Sequence, residues 1–142
     1  MTEQEREQVI LRYFRAWLEQ DAALMEGIFD PSVVYSESWG PEYRGIEKVR
    51  FWFNEWNSRA RVLQWDTRQF IHQGLVTAVE WRFRNKYISG DEEHFDGVSI
   101  FEFLPEGRIR AVREFGSKLP HYDPYAQAKR NSGKGMWMVE KA

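Results

Sequence analysis

The feature of the sequence that most constrains the fold is a change in hydrophobic period near Val62. Before this point apolar residues recur every three or four positions, as they do on the buried side of an amphipathic helix. After it apolar and polar residues alternate, which predicts antiparallel strands with one buried face. The strand-like runs cover residues 62–72, 75–87, 94–104 and 108–115. Helices followed by consecutive strands predict an α+β domain, with the helices on one face of a curved antiparallel sheet.

Three helices are predicted before the change of period, at residues 3–19, 22–28 and 46–57. The first begins after Thr2, whose hydroxyl can cap it, and Glu5 completes a capping box. Asp21 can cap the second helix, which is expected to end before Pro31. The third helix carries an unusually aromatic stripe on the side that it buries.

A short strand between the second and third helices places Val33, Tyr35 and Glu37 on one face. If that face points inward, Glu37 is a carboxylate aimed into a space bordered by aromatic rings. Such a group serves either as a buried structural hydrogen-bond acceptor or as a general base whose pKa is raised by apolar surroundings. The residues alone leave both roles open.

Composition excludes several classes of partner. The formal net charge is only −2 and no apolar run approaches the length of a membrane span, so neither nucleic acid nor a membrane is an expected partner. Aromatic residues make up 16% of the chain, and they can fill a core, line a pocket or bury an interface. The absence of cysteine and the acidic, polar N-terminus favour a cytoplasmic location.

Metal and cofactor binding are not expected from the sequence. His72, His94 and His121 lie in three separate segments without the spacing of a metal site, and no cysteine could complete one. The acidic run Asp91-Glu92-Glu93 is interpreted as a solvated turn between two strands.

The chain is predicted to form one domain at residues 1–116, followed by a tail at 117–142. The tail ends in the apolar patch Met136-Trp137-Met138-Val139. Because an exposed patch of this kind promotes association, we expect the tail to pack on its own domain or on the partner in a homodimer.

From residue 7 to residue 116 the chain resembles the nuclear transport factor 2-like superfamily, and within it the SnoaL-like and ketosteroid-isomerase-like group. The resemblance lies in the order of elements and in three local runs: Phe29-Asp30-Pro31, Pro41-Glu42-Tyr43-Arg44-Gly45 and Pro105-Glu106-Gly107-Arg108-Ile109. It implies a cone-shaped curved antiparallel sheet with three N-terminal helices over its concave face and a pocket between them. Members include isomerases, cyclases, dehydratases, epoxide hydrolases and non-catalytic domains, so the fold does not determine the activity.

The resemblance also implies roles for individual residues. Glu37 matches the position of the proton-transferring acid of ketosteroid isomerases, and Tyr13 matches the tyrosine that donates to the developing enolate. Ser99 stands where those isomerases carry a second acid, which argues against steroid-type enolisation. Glu114 falls near an acidic position of epoxide-hydrolase and cyclase relatives.

Each of these residues has an alternative interpretation. Tyr13 belongs to the apolar stripe of the first helix and could be core. Glu114 forms an acid and base pair with Glu37 if it faces inward, and is surface charge if it faces outward. The side chains predicted to bind substrate are Tyr35, Trp39, Tyr43, Trp52, Trp56, Trp65 and Ser99.

Two functions therefore follow from the sequence. One is a cofactor-independent isomerase, cyclase or dehydratase that acts on a small hydrophobic carbonyl compound with Glu37 as base. The alternative is a non-catalytic module for small-ligand binding or dimerisation. In both, the expected partners are a small hydrophobic molecule and a second copy of the chain.

Overall fold

The computed structural model describes residues 1–127, together with the backbone of residues 129–131 and 136–138. The α-helices in this part of the chain are α1 (Glu3–Glu19) and α2 (Ile46–Asn57). The strands of the main sheet are β1 (Phe29–Ser36), β2 (Glu42–Arg44), β3 (Ala60–Gln73), β4 (Val76–Tyr87), β5 (Glu92–Phe103) and β6 (Ile109–Lys118). A separate hairpin pairs β7 (Lys129–Asn131) with β8 (Met136–Met138).

The helices pack against one face of a curved, open sheet with strand order β2-β1-β6-β5-β4-β3. The α+β class and the consecutive hairpins from β3 to β6 are confirmed. The expectation of a wholly antiparallel sheet is wrong, because β1 runs parallel to β6. These two strands lie far apart in the sequence, so no hairpin fixes their relative direction.

The first helix forms as its sequence predicts. Thr2 Oγ1 accepts a hydrogen bond from Glu5 N at 3.0 Å, and Thr2 N donates to the Glu5 carboxylate at 3.0 Å. This capping box satisfies backbone donors that the first turn leaves unpaired. The buried side of α1 carries Ile10, Tyr13, Phe14 and Trp17, which pack into the main core.

The second predicted helix is wrong in type and length. Residues Ala22–Met25 form only one turn of 3-10 helix, although Asp21 caps it by accepting from Ala23 N at 3.0 Å. Glu26 is already extended, with φ −60° and ψ 129°, and Gly27 then adopts φ 75°, a left-handed conformation that turns the chain toward β1. The described part of the chain therefore has α1 and α2 over the sheet rather than three helices.

The segment between β1 and α2 contains a strand that the sequence did not predict. Glu37 N donates to Pro41 O at 2.9 Å and closes a turn in which Gly40 adopts φ 114°. The chain then reverses as β2, whose Tyr43 pairs with Tyr35 of β1. The predicted turn thus joins β1 and β2 in a tight hairpin, and Glu37 is the first residue of the turn.

A bulge in β6 determines which way Glu114 faces. Phe103 pairs with Ile109 and Glu102 pairs with Ala111, so Arg110 is an extra residue in the ladder. The bulge reverses the alternation, which lets Ile109 and Val112 both point into the core at 0% exposure. Glu114 has the same parity as Val112 and therefore lies on the inner face.

The apolar patch of the tail, residues 136–139, lies outside the part of the chain whose side chains the structure describes. Residues 136–138 are described as backbone only, and residue 139 lies outside the described residues. The packing of the tail therefore stays a prediction. In the described part of the chain, neither helix has the length and apolar character needed to cross a membrane.

Candidate functional site

A cavity opens between the two helices and the inner face of the sheet. Its volume is about 70 Å³, or about 610 Å³ when the space in its open mouth is included. The predicted site residues that line it are Tyr35, Glu37, Trp39, Trp52, Trp56, Trp65 and Glu114. The smaller figure describes the space that the walls confine, and it is well below the several hundred Å³ of a drug-sized pocket.

Glu114 belongs to a chain of hydrogen bonds that joins four strands, β1, β6, β5 and β4. Tyr35 Oη donates to Glu114 Oε2 at 2.7 Å, and Ser99 Oγ donates to the same oxygen at 3.4 Å. Trp81 Nε1 in turn donates to Ser99 Oγ at 2.8 Å. Because Oε2 receives both bonds, a proton on the neutral carboxyl group would reside on Oε1.

Two acids of the cavity wall, Glu37 and Glu114, have pKa values near neutral pH. Burial raises the pKa of Glu114 to about 7, and the charge of Glu37 adds to the effect. Burial also raises the pKa of Glu37 to about 7. Two neighbouring acids of this kind lose their protons in coupled steps, so one can be neutral while the other is ionised.

Three predicted site residues do not line the cavity. Tyr13 is 0% exposed, and its ring lies edge-on to Phe29 and Trp65 within the core. Tyr43 stacks on Trp52 with ring centroids 4.4 Å apart, and its hydroxyl lies close enough to Glu37 to oppose part of the rise that burial causes in the pKa of that carboxyl group. Ser99 does not line the cavity surface, but its hydroxyl connects Trp81 to Glu114 through hydrogen bonds.

Sequence reasoning missed Asn85, Glu93 and Trp17, all of which line the cavity. Asn85 shares strand parity with the inward Trp81, so strict alternation along β4 is the signal that could have found it. The interpretation of Glu93 as part of a solvated turn is wrong. It belongs to β5, and its carboxylate accepts a hydrogen bond from Tyr87 Oη at 2.6 Å.

Gly97 gives the Trp81 indole its place in the cavity wall. A Cβ atom added at Gly97 would lie 2.5 Å from the Phe115 carbonyl oxygen and 2.8 Å from Trp81 Cζ2. No real Cβ tolerates such distances, so a side chain at this position would displace the indole or bend the strand.

Gly97→Ala is therefore expected to lower the free energy of unfolding by about 2 kcal/mol, as overpacking of a core does. It should also break the bond from Trp81 to Ser99. Gly116→Ala is the matched control, because its added Cβ would make an ordinary contact at 3.5 Å from Ser38 Oγ. Urea unfolding of both variants checks the prediction, and equal stabilities would contradict it.

No three His, Asp or Glu side chains within the described residues come close enough together to hold a metal ion. The groups that the cavity offers are carboxyl, hydroxyl, amide and indole N–H groups on an aromatic wall. Such a set can transfer protons and stabilise a developing negative charge.

Solved structures resemble this fold across most of its length. An NTF2-like protein of unknown function from Burkholderia pseudomallei superposes with a TM-score of 0.71 at 15% identity, covering 82% of this chain and 92% of that one. A LEH-like epoxide hydrolase from M. tuberculosis gives a TM-score of 0.71 at 15% identity, covering 80% and 84%. A protein with a ketosteroid isomerase-like fold from Catenulispora acidiphila, in complex with trimethylamine, gives 0.65 at 11%, covering 75% and 83%.

At these identities the structural likeness establishes the fold alone. A comparison with curated protein sequences found no significant match. The profile of the SnoaL-like domain matches residues 10–112, which is most of the chain and includes β1 to β5, and the match ends within β6 before Glu114. The chain therefore belongs to the SnoaL-like domain family.

Proposed function

We propose that this protein is a cofactor-independent enzyme of the isomerase, cyclase or dehydratase kind, acting on a small hydrophobic carbonyl compound. The observation that carries the proposal is the pair Glu37 and Glu114, which face one aromatic cavity with pKa values near 7. A carboxyl group tuned to that range is suited to general acid–base catalysis at neutral pH.

Glu37 is the base in this proposal. As a carboxylate in the cavity wall, it removes a proton from the carbon beside the carbonyl of the substrate. Its position at a turn corner leaves it more accessible than Glu114, which is held by Tyr35 and Ser99. Glu114 in its neutral form then donates from Oε1 to the oxygen on which negative charge develops.

Tyr35, and not Tyr13, contacts the proposed acid. Its hydroxyl touches Glu114, whereas the Tyr13 ring lies behind the Tyr35 ring at a centroid distance of 5.9 Å. Burial raises the pKa of Tyr35 well above its ordinary value, so the hydroxyl remains a hydrogen-bond donor. A direct role of Tyr13 as oxyanion donor stays a prediction.

Deuterium exchange tests the proposal without requiring that the natural substrate be known. The protein is incubated in D₂O with small aryl ketones such as phenylacetone and beta-tetralone, and mass spectrometry follows deuterium entering the carbon beside the carbonyl. The expected result is exchange faster than in buffer alone. Binding of these ketones without faster exchange would contradict the enzymatic role.

A non-catalytic binding module is the second candidate, and the small confined volume favours it. Trp39 is 65% exposed at the mouth and packs beside Phe95 at a centroid distance of 5.9 Å, so its ring can contact an entering ligand. The trimethylamine complex of the Catenulispora neighbour is consistent with a small ligand in this fold. Under this alternative, ligands quench tryptophan fluorescence and raise the melting temperature without being altered.

A homodimer in the cytoplasm remains our proposal for the state of the protein. On the sheet face opposite the helices, Phe115 is 55% exposed and Ile71 is 59% exposed. Covering such side chains on a second copy would be favourable. Sedimentation at micromolar concentration is expected to give twice the 17.0 kDa mass of one chain, and a monomer would contradict the proposal.

A further inference from the structure

Asn85 is an amide held in the cavity wall without a hydrogen-bond partner. The residue is 1% exposed, and neither Nδ2 nor Oδ1 bonds to another group in the described part of the chain. A buried donor or acceptor that stays unpaired is unfavourable, and native proteins keep few of them. Both atoms are unpaired, so the conclusion is the same if the oxygen and nitrogen of the amide are exchanged.

The position of Asn85 separates it from Glu114. Asn85 pairs with Glu93 across the ladder, whereas Glu114 pairs with Ser99 on the same strand β5. Positions 93 and 99 are six residues apart, which corresponds to about 20 Å of extended strand. The amide therefore lies toward one end of the cavity, away from the bonds that hold Glu114.

Aromatic side chains occupy the rows between these two polar groups. Trp81 pairs with Gly97, and Phe83 pairs with Phe95, on which its ring stacks at 5.6 Å. Trp65 lies edge-on to Phe83 at 5.3 Å. A ligand that reaches from Asn85 toward Glu114 must therefore have a mostly apolar, elongated body.

The charge of the wall limits the polar group that can sit beside Asn85. The described residues that line the cavity include Glu37, Glu93 and Glu114 and no Lys, Arg or His. A carboxylate or phosphate would meet like charge and no cation in the wall, although the charge of Arg59 acts on Glu37 and Tyr87 from outside the lining. A lone carbonyl would leave Oδ1 of Asn85 unpaired, and a lone donor would leave Nδ2 unpaired.

We infer that Asn85 recognises a neutral ligand group that carries an acceptor and a donor side by side, as a primary carboxamide does, on an elongated apolar molecule whose other end reaches Glu114. Such a group pairs with both amide atoms at once. The inference depends on the proposed function, since it needs the cavity to hold a small molecule. It concerns recognition, however, and is tested by binding rather than by turnover.

Three probes share the same flat aromatic body and differ in the polar group that Asn85 would contact. Cinnamamide has an acceptor and a donor, benzalacetone has an acceptor only, and cinnamate carries a negative charge. Titrations followed by tryptophan fluorescence at pH 7.5 are expected to show cinnamamide binding roughly tenfold more tightly than benzalacetone, because the ketone leaves a buried acceptor unpaired. Cinnamate should bind more weakly than both.

Asn85→Leu removes both amide atoms at similar volume. The variant is expected to bind cinnamamide and benzalacetone with affinities within about twofold of each other, and to melt roughly 3 °C higher than the wild type because no unpaired amide remains. Gln69→Leu is the control. It removes an exposed amide that donates to Glu80 at 2.7 Å and does not line the cavity, so the preference for cinnamamide should persist.

Equal affinity of the wild type for cinnamamide and benzalacetone would overturn the inference, and this outcome needs no variant to fold. A preference that survives in Asn85→Leu, or a failure of all three probes to bind, would overturn it too. Deuterium exchange is measured separately. Exchange by a protein that shows no amide preference would leave the proposed function standing and remove only the role of Asn85.

Discussion

Replacing Glu37 by Gln is expected to slow enzymatic deuterium exchange by about 10²- to 10⁴-fold, the usual contribution of a positioned general base. The amide keeps the size and shape of the carboxyl group but cannot accept the proton from carbon. Burial raises the pKa of Glu37 to about 7, so the wild-type rate should rise as the pH approaches that value. It should fall again at higher pH, because Glu114, whose pKa is also raised to about 7, then loses the proton that it donates. The variant should show no such rise.

The measurement is the exchange rate of a responsive ketone between about pH 5 and pH 8, read by mass spectrometry. Glu42→Gln is the matched control, since Glu42 follows the same turn but bonds to Ser36 and Arg44 and does not line the cavity. It should retain the wild-type rate. Near wild-type exchange by Glu37→Gln would show that Glu37 is not the base.

Local pattern was enough to predict most of the elements. The three- and four-residue spacing of apolar side chains and the capping box at Thr2 define α1, and alternation defines β3 to β6. Such signals depend only on residues within one or two turns of helix or along one strand. They can therefore be recognised without knowing which distant segments pack against the element. The register of each hairpin follows from the turn that joins its strands.

The elements that sequence reasoning missed depend on distant contacts. The parallel pairing of β1 with β6 joins residues about 80 positions apart, such as Tyr35 and Val112, and no turn between them reveals it. The strand β2 has only three residues, and its register is given by the hairpin with β1. Residues 22–28 begin with the cap of a helix, but Glu26 is already extended and Gly27 has a positive φ, so no second turn forms.

Most residues of the candidate site could be predicted from the sequence, but their arrangement in space could be predicted only in part. Alternation along β1 placed Tyr35 and Glu37 on one face, and both line the cavity. The face of Glu114 could not be decided, because the bulge at Arg110 depends on pairing with β5. Tyr13 could not be separated from core by pattern, since a helix facing a sheet buries every residue of its stripe.

A second expected result concerns stability, and its sign follows from the direction of the pKa shift. The pKa of Glu114 is raised in the folded protein to about 7 from an ordinary value of 4.5. The folded state therefore holds this proton more tightly than the unfolded state. The stabilisation is complete below about pH 4.5 and is lost as the pH rises through 7, by about 3 kcal/mol in total. Glu37 acts in the same direction, to a smaller extent because it is partly exposed.

Glu114→Gln should abolish the larger part of this pH dependence. The amide oxygen can still accept from Tyr35, and no charge has to form inside the aromatic wall as the pH rises. Urea unfolding is expected to show similar stabilities of variant and wild type near pH 5. At pH 8 the variant should be the more stable by about 2 to 3 kcal/mol.

Glu102→Gln distinguishes this effect from a general loss of negative charge. Hydrogen bonds from Arg113 and Arg110 lower the pKa of Glu102, so its ionised form stabilises the fold. Its loss should reduce the free energy of unfolding by a similar amount at pH 5 and at pH 8. If Glu114→Gln instead destabilised the protein equally at both pH values, the Glu114 carboxyl would already be ionised in the folded state at pH 5. The cavity would then lack the neutral acid that the proposed reaction requires.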